Sequence, residues 1–134
     1  MTDFVLVDPN ELHDVWPLVK KGLDRIIRKI KPDWIAEDIY SALKAGTSGL
    51  HLGYEGDEYE GFVVLTPSTD FGGRILFVWA AYSPRSADTI EKYWPFIRDI
   101  ATKSGSKKVR FASPREGFKK SSFTPVTTIY EKEV

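Results

Sequence analysis

Residues 75–88 read Ile75-Leu76-Phe77-Val78-Trp79-Ala80-Ala81-Tyr82-Ser83-Pro84-Arg85-Ser86-Ala87-Asp88. The first eight are apolar without a break and rich in β-branched and aromatic side chains. A strand with one wet face alternates, so this run predicts a strand covered on both faces. Ser83-Pro84-Arg85-Ser86 opens a helix with Ile90, Tyr93 or Trp94, Ile97, Ile100 and Ala101 on one side and Gly105 at its end. Pro95 interrupts that periodicity. Lys107 to Phe111 alternates as a strand. Strand, crossover helix and strand predict a parallel pair joined right-handedly.

Upstream, Leu50–Tyr54 and Tyr59–Leu65 read as strands around the turn Glu55-Gly56-Asp57-Glu58, with Pro67 closing the second. Phe71-Gly72-Gly73 is a further turn, so this part predicts an antiparallel meander. Phe4-Val5-Leu6-Val7 is a short first strand. Asp8-Pro9-Asn10-Glu11 then supplies an N-cap, a first-turn proline and an acid three residues after the cap. Leu12, Val15, Trp16, Val19, Leu23, Ile26, Ile27 and Ile30 follow at helical spacing, and Pro17 is expected to kink or divide the helix. Pro32 ends it. Asp33 is the expected cap of a shorter helix through Ile35, Ile39, Ala42 and Leu43 that stops at Gly46. Beyond Phe111, Gly117–Phe123 suits a short helix and Pro125–Glu133 a last strand. The order is β-α-α-β-β-β-α-β-α-β. It implies one mixed α/β (α+β) domain over residues 1–134, with a central mixed sheet of about six strands and about four helices.

Composition narrows the chemistry. The chain has no cysteine, which excludes disulfides, thiolate nucleophiles and cysteine metal sites, and fits a reducing, cytoplasmic compartment. Two histidines and scattered acids show no metal-ligand spacing, so no metal is expected. No apolar run reaches the ~18 residues of a membrane span, and Met1-Thr2-Asp3-Phe4 does not begin a signal peptide. Net charge is zero, yet six bases lie between Lys20 and Lys31 and seven between Lys103 and Lys120. Without a nucleic-acid motif beside them, these runs read as solvated faces with snorkelling stems.

The element order resembles the GNAT superfamily, whose members move an acetyl group from acetyl-CoA to an amine. The likeness runs from Phe4 to about Tyr130. It makes Ile75–Tyr82 the long fourth strand, whose backbone, around Ala80 and Tyr82, would hydrogen-bond the pantetheine. It makes Ser83–Asp88 the phosphate loop, with Arg85, Ser86, Ala87 and Asp88 as cofactor-binding residues. Arg115-Glu116-Gly117-Phe118 is similar to a segment of small GNAT-like phage proteins, which would place the chain in a host cytoplasm or a virion.

The match departs from the family at specific residues. The family loop is Arg/Gln-x-x-Gly-x-Gly/Ala, whereas Ser83–Asp88 has no glycine and loses one N–H to Pro84. The position of the family's proton-donating tyrosine is Phe118, and the glycine of its Gly-Phe turn is Ser122. Two readings therefore stand. One is an acetyl-CoA-dependent N-acetyltransferase acting on an amine. The other is a GNAT-shaped interaction or structural protein that takes a protein partner and no cofactor.

Three residues are candidates for acid–base work. His51 alternates with Leu50 and Leu52, and in a sheet of this kind points to the acceptor side. Glu55 and Glu60 flank the first hairpin, where they either solvate a turn or deprotonate an ammonium substrate. His13 reads as a helix boundary residue. Trp16, Trp34, Trp79 and Trp94 read as core, Trp34 being the most exposed of them.

Overall fold

The computed structural model describes residues 2–113, 123–126 and 131–133. β1 (Thr2–Leu6) leads through a 3-10 turn (Pro9–Glu11) into α1 (Leu12–Ile30) and α2 (Ala36–Ala45). The meander β2 (Gly49–Glu55), β3 (Glu58–Asp70) and β4 (Gly73–Tyr82) follows, then α3 (Thr89–Lys92), α4 (Trp94–Lys103) and β5 (Lys108–Phe111). Among the described residues the sheet has five strands in the order β1-β2-β3-β4-β5, antiparallel except for the parallel pair β4–β5. The predicted strand Ile75–Tyr82 thus lies inside the sheet, parallel to Lys108–Phe111 as its crossover requires. The segment Arg115–Phe118 and the positions Phe118 and Ser122 lie outside the described residues, as does most of the predicted helix Gly117–Phe123. Of the predicted strand Pro125–Glu133, the described residues are in neither helix nor strand.

Each face of the sheet has its own core. α1 and α2 bury Leu12, Val19, Leu23, Ile39 and Leu43 against Leu50, Leu52, Phe62, Val64 and Ala80. On the other face Ile90, Tyr93, Ile97 and Ala101 cover Val63, Leu65, Leu76 and Val78. Phe123 packs edge-on against Trp94 and Phe111 at 5.2 and 5.0 Å.

Several local expectations are corrected. Pro17 leaves α1 undivided. The carbonyl it cannot pair with is that of His13, and both residues are exposed, so water can satisfy it. The α2 cap is Ile35, whose N–H donates to Asp38 at 2.8 Å, and not Asp33. Pro67 does not close β3, which runs on to Asp70. The helix expected from Ser83 begins only at Thr89 and is divided at Tyr93, because Pro95 occupies the first turn of a separate α4. Trp79 is only half-buried, edge-on to Trp34 at 6.2 Å.

The sheet carries two bulges, and both change what faces what. Leu65 pairs with Val78 and Val64 with Ala80, so Trp79 has no opposite residue. A strand reverses faces at every residue, and one extra residue shifts the phase. Trp79 and Ala80 therefore both join the α1 side, whereas Val78 and Ala81 join the other. On β3, Gly53 pairs with Gly61 and Tyr54 with Tyr59, which makes Glu60 the extra residue.

Gly53 marks a close approach across the second face. A Cβ there would overlap the hydroxyl and ring of Tyr93, which is fully buried. We expect Gly53→Ala to cost about 1–3 kcal/mol through overpacking. Combining it with Tyr93→Leu should cost less than the sum of the single changes, since the smaller side chain removes the overlap. Denaturant melts of the four proteins measure both terms; strict additivity would mean the two positions do not touch.

Candidate functional site

The parallel ladder between β4 and β5 ends at Val78–Phe111. β4 continues to Tyr82, but after β5 the chain runs on through Ala112 and Ser113 outside any strand. Among the described residues, Trp79–Tyr82 therefore have β3 on one side and no strand on the other. A cleft of about 830 Å³ occupies that gap. Its walls are Trp79–Tyr82, Phe111–Ser113, the loop from Ser83 to Ala87, Ile90, and Arg25, Ile26, Lys29 and Ile30 of α1. Strand edges carry N–H and C=O groups that need partners, so the end of β4, with a strand on one side only among the described residues, is suited to bind an extended polar chain.

The loop at the end of β4 is held from within. Buried Ser83 accepts a hydrogen bond from Thr89 Oγ1 at 2.9 Å, and Ser86 Oγ accepts from the Asp88 N–H at 3.1 Å. Gly61 lies across from the start of this loop; a Cβ there would sit 2.8 Å from Ser83 Oγ. The Arg85 guanidinium bridges Glu58 at 2.6 Å and Glu60 at 3.1 Å, and Lys92 approaches Glu60 at 3.6 Å. The bulge at Glu60 turns its carboxylate toward these two cations. They compete with any substrate ammonium for its oxygens.

The structure brings together only part of the predicted site. Ala80, Tyr82, Arg85, Ser86 and Ala87 line the cleft; Asp88, Glu55, Glu60 and His51 do not. Glu60 touches the cleft only through Arg85. Glu55, at the end of β2, accepts a hydrogen bond from Thr2 Oγ1 at 2.6 Å. His51 is buried on the α4 face, stacked on Phe4 with ring centroids 4.9 Å apart. Burial pushes its imidazole down to about 4, and its Nδ1 has no hydrogen-bond partner among the described residues. No group of three His, Asp or Glu residues suited to a metal ion occurs among the described residues.

Among the wall residues that escaped the sequence reading are Arg25, Ile26, Lys29 and Ile30 of α1. The available signal was the coincidence of two i, i+4 pairs, one basic and one apolar, on adjoining stripes of the helix. Which stripe meets a cleft depends on where β5 stops, and that is not a local property.

No protein-family model matches the chain, and no curated protein matches it in sequence. Solved structures do match over nearly their whole length. A ribosomal-protein-alanine N-acetyltransferase from Brucella melitensis biovar Abortus 2308 is 16% identical with a TM-score of 0.72, covering 100% of both chains. A predicted acetyltransferase from Clostridium acetobutylicum, solved with acetyl-CoA, is 13% identical with a TM-score of 0.69, covering 99% of this chain and 96% of its own. An aminoglycoside acetyltransferase from an uncultured soil metagenomic sample, in complex with sisomicin, is 10% identical with a TM-score of 0.67, covering 99% and 97%. No helix among the described residues is long and apolar enough to cross a membrane. At these identities the likeness speaks for architecture alone, and the architecture of this chain is the GNAT acetyltransferase fold.

Proposed function

We propose that the chain transfers an acetyl group from acetyl-CoA to an amine. The observation that carries this reading is the separation of β4 from β5 after Val78–Phe111, which leaves the peptide groups of Trp79–Tyr82 facing a cleft. The fit to the co-substrate differs along its length. The pantetheine chain needs a narrow channel with edge peptide groups, and the end of β4 offers one. The diphosphate needs clustered N–H donors or free cations. Here the loop lacks glycine, α3 is a four-residue helix, and Arg85 is already paired with two carboxylates.

When bound, acetyl-CoA supplies an activated acyl group. The chain's own contribution is positional. Peptide N–H groups near the Trp79 bulge would hold the thioester carbonyl and stabilise negative charge developing on its oxygen. Trp79, Ile26 and Ile30 would exclude water from the acyl group. Amine attack forms the C–N bond as the C–S bond breaks, and the amine's proton leaves to solvent or to the departing thiolate.

Calorimetric titration of acetyl-CoA at low salt, followed by a thiol-release assay with a panel of amines, tests the reading. Ala112 is exposed on the cleft wall, so Ala112→Trp should obstruct the cleft without disturbing a core. It should weaken binding roughly tenfold or more while leaving the melting temperature unchanged. If millimolar acetyl-CoA gives neither heat nor a thermal shift, acetyl transfer is excluded. The second reading, a scaffold of this fold that takes a protein partner and no cofactor, would then stand; the glycine-free loop and the engaged Arg85 favour it.

A further inference from the structure

Part of the basic run in α1 lines the cleft while staying open to solvent. Arg25 and Lys29, one helical turn apart, both line it beside Ile26 and Ile30. Arg25 is held in place by Tyr82, whose hydroxyl oxygen accepts from Arg25 Nη1 at 2.9 Å. The Tyr82 ring reaches that position because residue 22 is glycine; a Cβ there would lie 2.6 Å from Tyr82 Cδ2. Glycine disfavours a helix interior, so α1 sacrifices local stability at the turn that seats this ring.

The cation balance around the cleft is uneven. Lys20 pairs with Asp24 at 3.0 Å, Arg85 with Glu58 and Glu60, and Arg110 with Asp70 at 2.8 Å. Among the described residues neither Arg25 nor Lys29 makes an ion pair, and the partner of Arg25 is a neutral phenol. That bond uses one of five guanidinium N–H donors and leaves the phenol's own proton free to donate.

We propose that Arg25, Lys29 and the Tyr82 hydroxyl form an oxyanion-binding wall, taking a phosphate or carboxylate of a ligand that lies along Trp79–Tyr82. The wall does what the glycine-free loop and the engaged Arg85 do not. Assigning the oxyanion to a coenzyme phosphate, or to an acidic group on the amine acceptor, rests on the acetyl-transfer reading. The wall itself does not.

The test is calorimetry on the full chain at low salt with coenzyme A, dephospho-coenzyme A, inorganic pyrophosphate, and a glutamyl peptide with its glutaminyl counterpart. Arg25→Gln/Lys29→Gln should weaken an oxyanion ligand by tenfold or more and flatten the dependence of its Kd on salt. Tyr82→Phe keeps the ring on Gly22 and should give a smaller loss of several-fold. Lys21→Gln, an exposed change in the same run but off the cleft, controls for overall charge and should leave Kd unchanged. Equal losses for coenzyme A and dephospho-coenzyme A place the diphosphate at the wall. A loss for coenzyme A alone places the 3′-phosphate there. A loss confined to the glutamyl peptide identifies the acceptor as the source. If pyrophosphate binding depends on Arg25 and Lys29 while acetyl-CoA does not bind, the wall stands and acetyl transfer fails. If coenzyme A binds equally to wild type and double variant and the peptides show no difference, the wall is overturned and acetyl transfer survives. If wild type binds none of these anions, the wall is likewise overturned.

Discussion

Phe62→Ala is expected to lower the unfolding free energy by about 3–5 kcal/mol, the range for deleting a fully buried aromatic ring. Phe62 is 0% exposed, lies in the middle of β3, and contacts the Tyr82 ring with centroids 5.9 Å apart. It also approaches α1 at Gly22, where a Cβ would sit 2.7 Å from Phe62 Cε2. Removing the ring leaves a void bounded by a helix backbone and a central strand, neither of which can collapse into it cheaply. A domain of this size has about 5–15 kcal/mol in all, so the variant should melt at markedly lower denaturant with an unchanged slope. Trp79→Ala, by contrast, should cost only about half as much, because the indole is half-buried and forms a cleft wall. A loss below about 1 kcal/mol for Phe62→Ala would mean that α1 does not close on the sheet as described.

Acid should destabilise the fold through His51. In the folded chain burial holds the imidazole at about 4, against an ordinary 6.5 when the chain is unfolded. Between those values the unfolded chain takes up a proton that the folded chain refuses. Stability is therefore insensitive to this residue above pH 6.5 and falls as the pH drops from about 6.5 to about 4, by ~3 kcal/mol in total. His51→Phe preserves a ring to stack on Phe4 but cannot titrate. It should match the wild type near pH 7 and exceed it by about 2–3 kcal/mol near pH 4.5 in urea melts at each pH. Parallel decline of both proteins would show that His51 is not buried in its neutral form. Asp70 acts in a lower window. The Arg110 hydrogen bond, then that from the Gly72 N–H, holds its carboxyl below the usual range, so its contribution is lost only as pH falls below ordinary carboxylate values.

His51 also shows where reading by pattern stops. Its alternation with Leu50 and Leu52 correctly separates it from them, but both faces of this sheet are covered. Pointing away from one core puts the imidazole into the other, against Phe4. Glu60 fails differently. Its pairing with Arg85 depends on a bulge between Tyr54–Tyr59 and Gly53–Gly61; the two strand glycines hint at a bulge but do not say which residue is extra or which cation its side chain meets.

The sequence by itself determined the order of elements as far as Phe111, apart from the division of the crossover helix, the parallel pairing of the start of the apolar run with the strand at Lys108–Phe111, and the meander before it. Those follow from apolar period, turn residues and crossover handedness, which are short-range. It also determined that the loop after β4 carries no glycine. Only the tertiary structure decided that Arg85 is consumed by Glu58 and Glu60, that Trp79 is an extra residue on β4, and that Arg25 and Lys29 face a cleft. Each of these depends on which residues distant in sequence come to lie side by side. Charge pairing, strand register and the end of a ladder are settled by packing across the whole sheet, and periodicity within one segment cannot record them.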